Sequence, residues 1–207
     1  AFRTFIEEEL FGRLRWFITL RWLAAVGVFF VIIFASSVLK CKLPYFQLSV
    51  SALLILACNS LFLLYQMSLS RKEPQDIFRS SRRFANVQIS IDLLFLAVLI
   101  HFSGGIENPF MFYFIFHMIL ASILLSVRES YLQATLAVLL FTLLAGFEYF
   151  KVIPHYCLGS FIGTDLSANG GYLLGVMFVF TTTVYLSVYM TTSVSRKLRV
   201  RSRELIM

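Results

Sequence analysis

The chain has 207 residues, of which 59% are hydrophobic and only 14% are charged, and its mean hydropathy is +0.82. A water-soluble domain of this size cannot bury so much apolar surface, so the composition excludes a soluble globular protein and predicts a polytopic membrane protein. The net charge of +7 indicates membrane lipid as a partner and no nucleic acid, because anionic headgroups attract Lys and Arg beside membrane spans.

The first segment, residues 1–19, has the pattern of an amphipathic helix. Its apolar residues recur at a spacing of three to four and are Phe2, Ile6, Leu10, Leu14 and Phe17. This spacing is typical of a helix that lies in the membrane interface. We therefore predict a cytoplasmic interfacial helix over 1–19.

Six apolar stretches follow, each close to the ~20 residues that cross a hydrocarbon core as a helix. The predicted spans are 20–39, 46–67, 84–102, 109–127, 130–150 and 172–193. The sequence thus predicts an all-α fold, a six-helix transmembrane domain over 20–193. It shows no internal repeat, which disfavours a transporter.

The basic residues predict the orientation. Of the 18 Lys and Arg residues, all but three fall on the same side of the predicted spans, and the three exceptions are Lys40, Lys42 and Lys151. Positive charge marks the cytoplasmic side, so both termini are predicted to be cytoplasmic. The basic tail 194–207 contains no Gly or Pro and reads either as the start of a signalling helix or as a stop-transfer anchor.

The turn between the third and fourth spans carries candidate ligand-binding chemistry. Its two glycines allow another molecule to approach the backbone, and its Asn-Pro pair predicts a capped helix start with N–H donors. A carboxylate and an aromatic ring add an acceptor and a stacking face. The candidate ligand-binding residues are Gly104, Gly105, Glu107, Asn108, Pro109 and Phe110. A capped hairpin without a ligand explains the same residues.

Residues 104–110 read GGIENPF and match every fixed position of GGxxNPF, the signature of the RegB/PrrB-type redox-sensing histidine kinases. The chain resembles that family in topology throughout and in sequence mainly over 88–110. The resemblance implies a bacterial inner-membrane sensor domain that binds a quinone, ubiquinone or menaquinone, at this turn. It also implies a homodimer, a cytoplasmic kinase domain in the same parent chain and a downstream response regulator.

Four polar side chains lie within the predicted third and fourth spans: Gln88, Asp92, His101 and His117. Polar groups in a bilayer are costly and often mark function. Gln88 and Asp92 are similar to a polar pair in the RegB/PrrB family, whereas His117 departs from its pattern. Matching depths on the two helices predicts that Asp92 meets His117, as a proton-sharing pair or a structural clamp, and that His101 approaches Asn108.

The predicted outer loop 151–171 is rich in Gly yet partly apolar. It is either a lid over the turn or a passive connector. Glu148, just before it, is predicted to reach water. Cys41 and Cys157 fall on the same side and form either a disulfide or two free thiols, and no cysteine spacing indicates a metal site.

The first functional hypothesis is therefore the membrane sensory domain of a two-component histidine kinase that relays quinone redox state. No catalytic motif is present, so the segment itself is predicted not to be an enzyme. The alternatives are a passive membrane anchor of a signalling enzyme and a small haem- or quinone-binding electron-transfer subunit. Haem fits poorly, because His101 and His117 differ in depth by about 13 Å at the helical rise.

Overall fold

The computed structural model describes residues 2–38, 43–69, 74–156 and 166–204. The helices in chain order are α1 Phe2–Ser37, α2 Tyr45–Leu69, α3 Pro74–Phe102, α4 Tyr113–Leu124, α5 Val127–Tyr149 and α6 Gly170–Glu204. Two 3₁₀ segments, Gly105–Glu107 and Pro109–Phe112, join α3 to α4. The described residues contain no β-strand, so the predicted all-α membrane bundle is confirmed.

Five of the helices are long and apolar enough to cross a membrane. Their candidate spans are Thr19–Ser37, Tyr45–Met67, Arg82–Phe102, Val127–Tyr149 and Gly170–Lys197. The exception is α4, which has 12 α-helical residues, or about 18 Å at the helical rise. It ends at Leu124, before the predicted limit of 127, because Ser126 and Glu129 form a capping box that starts α5.

Two helices extend well beyond their apolar stretches. α1 is continuous from Phe2 to Ser37, with no break between the segment 1–19 and the first span. The interfacial position of 1–19 stays a prediction. α6 continues to Glu204, and its role as a signalling helix stays a prediction too.

The core lies among α3, α4, α5 and α6. At its centre three buried rings meet: the Phe141 and Phe180 centroids are 4.3 Å apart, and Phe114 lies 5.4 Å from Phe180. α1 and α2 pack on each other, and both also pack on α3. The remaining faces expose large apolar side chains such as Leu23 and Phe178, as expected where lipid tails are the solvent. This packing brings the α3–α4 turn against the end of α5. We call the end of the bundle that holds this turn the turn end.

Candidate functional site

The α3–α4 turn depends on its glycines and on Asn108. Gly104 and Gly105 have φ values of 122° and 54°, in the region that L side chains rarely adopt. Asn108 Oδ1 accepts a hydrogen bond from the Phe110 N–H at 2.9 Å, and Pro109 takes the first helical position. The predicted helix start is therefore confirmed, although the first turn is 3₁₀ rather than α.

The polar atoms of Asn108 are used inside the turn. Besides the cap, Nδ2 donates to the Ser103 carbonyl at 3.0 Å and to Ser103 Oγ. The residue is buried. Asn108 therefore holds the shape of the turn, and a contact between Asn108 and a ligand stays a prediction.

The space beside Gly105 is filled by α5. A Cβ atom at Gly105 would lie 2.6 Å from the carboxyl carbon of Glu148 and closer still to its Oε2. The close approach that glycine permits is thus used by Glu148. The prediction that Glu148 reaches water was wrong, since the residue is 3% exposed.

Four titratable side chains meet behind the turn and form what we call the Glu–His cluster: His101, Glu107, Glu148 and His155. His101 Nδ1 lies 2.9 Å from Glu148 Oε1, and His155 Nδ1 lies 2.9 Å from Glu148 Oε2. His155 Nε2 is 3.7 Å from Glu107 Oε2. The side chains of Glu107 and Glu148 are 0% and 1% exposed.

The cluster sets the tautomers of its histidines. An ionised carboxylate only accepts hydrogen bonds, so each histidine that contacts Glu148 carries a proton on Nδ1. A neutral ring then offers its Nε2 as an acceptor, and a protonated ring offers it as a donor. Buried carboxylates need positive partners or hydrogen bonds, and the two imidazoles supply them here. The Nδ1 contacts with Glu148 are the same for a neutral and for a protonated ring.

The loop after α5 closes over the turn from two sides. His155 contacts Glu107 and Glu148, and the Leu166 N–H donates to Glu107 Oε1 at 2.8 Å. These contacts put the described parts of the loop on the turn, and its role as a lid or as a passive connector stays a prediction. Residues 157–165 lie outside the described residues, as do 39–42, so the pairing of Cys41 with Cys157 stays untested.

Aromatic rings border the cluster. The His101 ring centroid lies 4.9 Å from that of Phe102 and 5.4 Å from that of Tyr156. The His101 side chain is 15% exposed, and its Nε2 makes no hydrogen bond with the described residues. Phe110 is 38% exposed and its ring lies beside Tyr113. Flat aromatic surfaces thus stand next to a polar group that a ligand can reach.

The predicted partners of the intramembrane residues need correction. Asp92 Oδ2 accepts hydrogen bonds from Arg21 Nε and Nη2, at 2.9 and 2.5 Å. His117 is near enough to interact with Asp92 electrostatically, but its Nδ1 bonds the Tyr113 carbonyl at 2.8 Å. No hydrogen bond joins Asp92 to His117 within the described ranges. The fully charged guanidinium outcompetes an imidazole for the carboxylate.

The expected partner of His101 also needs correction. His101 contacts Glu148 rather than Asn108, because α5 packs against the end of α3. Gln88 also contacts a neighbouring helix, because its backbone carbonyl accepts a hydrogen bond from Arg21 Nη2 at 2.9 Å. Its buried side-chain amide has no hydrogen-bond partner among the described residues.

Sequence reasoning missed Arg21, Glu148 and His155 as members of these sites. Arg21 was assigned to a cytoplasmic flank, although it begins the apolar part of α1, where an ionised side chain needs a partner. His155 lies in the loop that was considered as a lid. Among the described residues there is no group of three or more His, Cys, Asp or Glu that could hold a metal ion.

The family model described as the PilS-like transmembrane domain matches residues 6–205, nearly the whole chain. PilS is a sensor histidine kinase. No curated protein and no solved structure matches the chain.

Proposed function

The chain belongs to the PilS-like transmembrane domain family, and from this premise we propose that it senses the redox state of a membrane quinone. Membership makes it a multi-pass membrane domain of the kind found in sensor histidine kinases. The ligand is the new part of the proposal. The observation that carries it is His101, whose Nδ1 contacts a buried carboxylate while its Nε2 makes no hydrogen bond with the described residues.

The two redox forms of a quinone differ in hydrogen-bonding sense. The quinone has two carbonyl acceptors, whereas the quinol has two hydroxyl donors. A neutral His101 with its proton on Nδ1 accepts from a quinol hydroxyl through Nε2, and a protonated His101 donates to a quinone carbonyl. Because a mismatched pair leaves a polar group unsatisfied, the proton content of the Glu–His cluster and the redox form of the ligand are coupled.

The surroundings suit a ring dissolved in the bilayer. Phe102 and Tyr156 lie beside His101, with centroids 5.7 Å apart, and aromatic rings stack with centroids 4.5–7 Å apart. Phe110 offers a further exposed face at the turn. The resemblance to the GGxxNPF turn supports the same location. Gly105 and Asn108 act in this proposal by holding the turn in place.

A route from the ligand to the kinase runs through α6. Glu107 binds the Leu166 N–H, and Leu166 precedes the first residue of α6, Gly170, by four positions. Asn169 begins that helix by accepting from the Tyr172 N–H at 3.1 Å. A ligand that shifts Glu107 or His155 therefore moves the start of a continuous 35-residue helix. The proposed output is a cytoplasmic kinase domain in a homodimeric parent protein, which signals to a response regulator.

Quinone binding to the purified chain in nanodiscs tests the proposal. His101→Gln should weaken ubiquinone or menaquinone binding about tenfold or more, because it removes a hydrogen bond to a charged group, worth about 1.5–3 kcal/mol. His117→Gln is the matched control, since His117 Nδ1 bonds the Tyr113 carbonyl of its own helix and lies outside the Glu–His cluster. Equal binding by the parent and the His101 variant would contradict the proposal and favour a passive membrane anchor.

A further inference from the structure

A lateral groove opens between α2 and α3, at the end of the bundle opposite the turn. Its volume is about 550 Å³, and its lining residues are Leu61, Phe62, Tyr65, Arg83, Phe84 and Val87. The apolar part of α2 ends at Met67, and that of α3 begins at Arg82. The groove therefore lies at the depth where hydrocarbon gives way to headgroups.

The walls of the groove are apolar and aromatic. Phe84 is buried at its floor, 4.8 Å from the ring of Tyr65 and 5.7 Å from that of Phe62. Leu61 and Val87 are more than half exposed along its rim. An acyl chain fits such a surface, because it covers these exposed apolar side chains with hydrocarbon.

Among the described lining residues, Arg83 carries the charge of the groove. Arg83 is exposed, and its guanidinium has no hydrogen bond or ion pair within the described part of the chain. Its neighbour Arg82 is held by Glu129, with Nη2 and Oε2 2.5 Å apart. The described lining residues include no carboxylate. A planar guanidinium in this position matches a phosphate, which it can bind through two parallel hydrogen bonds.

We propose that the α2–α3 groove binds an anionic phospholipid. The phosphate contacts Arg83, and one acyl chain lies between Leu61 and Val87 against the aromatic floor. The charge complementarity and the depth of the groove carry this assignment, and it is independent of the quinone proposal.

The bound lipid lies next to a set of side chains that joins the first three helices. The ring of Phe62, which lines the groove, lies 4.6 Å from Arg21 Cζ on α1. Arg21 in turn pairs with Asp92 on α3. A lipid against Phe62 is therefore in contact with the ring that packs on Arg21, the side chain that links α1, α2 and α3. Asp92, its partner on α3, lies at the middle of the candidate span Arg82–Phe102.

Native mass spectrometry of the whole chain with phosphatidylglycerol and phosphatidylcholine in equal amounts tests the site. Arg83→Gln should weaken phosphatidylglycerol binding about fivefold, the value of one basic residue at an anionic membrane surface. Arg128→Gln is the control, because Arg128 is an exposed arginine at the same end of the bundle. No loss with Arg83→Gln, or an equal loss with Arg128→Gln, overturns the proposal.

A second variant tests the groove rather than the charge. Val87→Trp should displace the phosphatidylglycerol while leaving Arg83 in place, with helix content checked by circular dichroism. Inorganic phosphate should not compete with the lipid, and full competition would show a phosphate site and overturn the lipid assignment. A fall in dimer content with Val87→Trp, without loss of lipid, would show that a second copy occupies the groove and would also overturn it.

Discussion

The carboxylate of Glu148 on α5 occupies the place that a Cβ atom would take at Gly105 in the α3–α4 turn. Glycine is needed at this position for two reasons: its φ is positive, at 54°, and the buried carboxylate of Glu148 approaches it closely. The Glu–His cluster is built around this contact. A change at Gly105 should therefore disturb the turn and the cluster together.

Gly105→Ala should destabilise the domain by about 1–3 kcal/mol for the backbone strain alone, with a further loss because Glu148 must move. The measurement is the free energy of unfolding in detergent. Gly146→Ala is the matched control, since a Cβ there meets nothing within 4 Å and alanine is the better helix former. Equal stability of the two variants would contradict the role given to Gly105.

Asn108 should tolerate Ser better than Asp. Ser keeps a side-chain cap for the Phe110 N–H, whereas Asp replaces the Nδ2 donor with an acceptor that faces the Ser103 carbonyl. Asn108→Ala should cost about 1 kcal/mol from the lost cap. Thermal unfolding of the three variants gives the order, and an Asp variant as stable as the parent would show that the Ser103 contact is unimportant.

The pair of Arg21 and Asp92 should behave as a buried unit. Asp92→Asn leaves the Arg21 charge unbalanced and should cost about 3–5 kcal/mol, whereas the double change Arg21→Met with Asp92→Leu should restore most of that loss. A double-mutant cycle of Arg21→Met and Asp92→Leu, made singly and together, measures this coupling in the unfolding free energy. Strictly additive effects would show that the two side chains do not depend on each other.

His155→Ala should loosen the loop over the turn. The variant removes the contacts of His155 with Glu107 and Glu148, so the Leu166 N–H that bonds Glu107 becomes easier to expose. Hydrogen exchange at Leu166 should then quicken while the core of α5 is unchanged. His117→Ala is the control, because His117 Nδ1 bonds the Tyr113 carbonyl and not a residue of this loop. It should leave the exchange unaltered, and a similar gain there would point to a general loss of stability.

Hydropathy and local capping predicted much of this architecture, because both act over a few neighbouring residues. The five long spans and the helix start at Asn108–Pro109 belong to this class. Arg21 with Asp92 and His101 with Glu148 are 71 and 47 positions apart, and no local pattern encodes such pairs. They depend on how whole helices dock.

The expected meeting of Asp92 with His117 failed for a further reason. Counting outward from the turn assumed that α3 and α4 separate symmetrically from a tight hairpin. Instead the two 3₁₀ segments between Gly105 and Phe112 advance about 2.0 Å per residue with three residues per turn. They change both the depth and the facing of the residues that follow.

The short α4 has a consequence for the membrane itself. Its 12 α-helical residues with the four-residue 3₁₀ turn reach about 26 Å, less than the ~30 Å of an average hydrocarbon core. Such hydrophobic mismatch is relieved by local thinning of the bilayer. The bilayer should therefore be locally thinner around the turn end of this bundle. The conformation of the turn should respond when the domain is moved from short-chain to long-chain lipids.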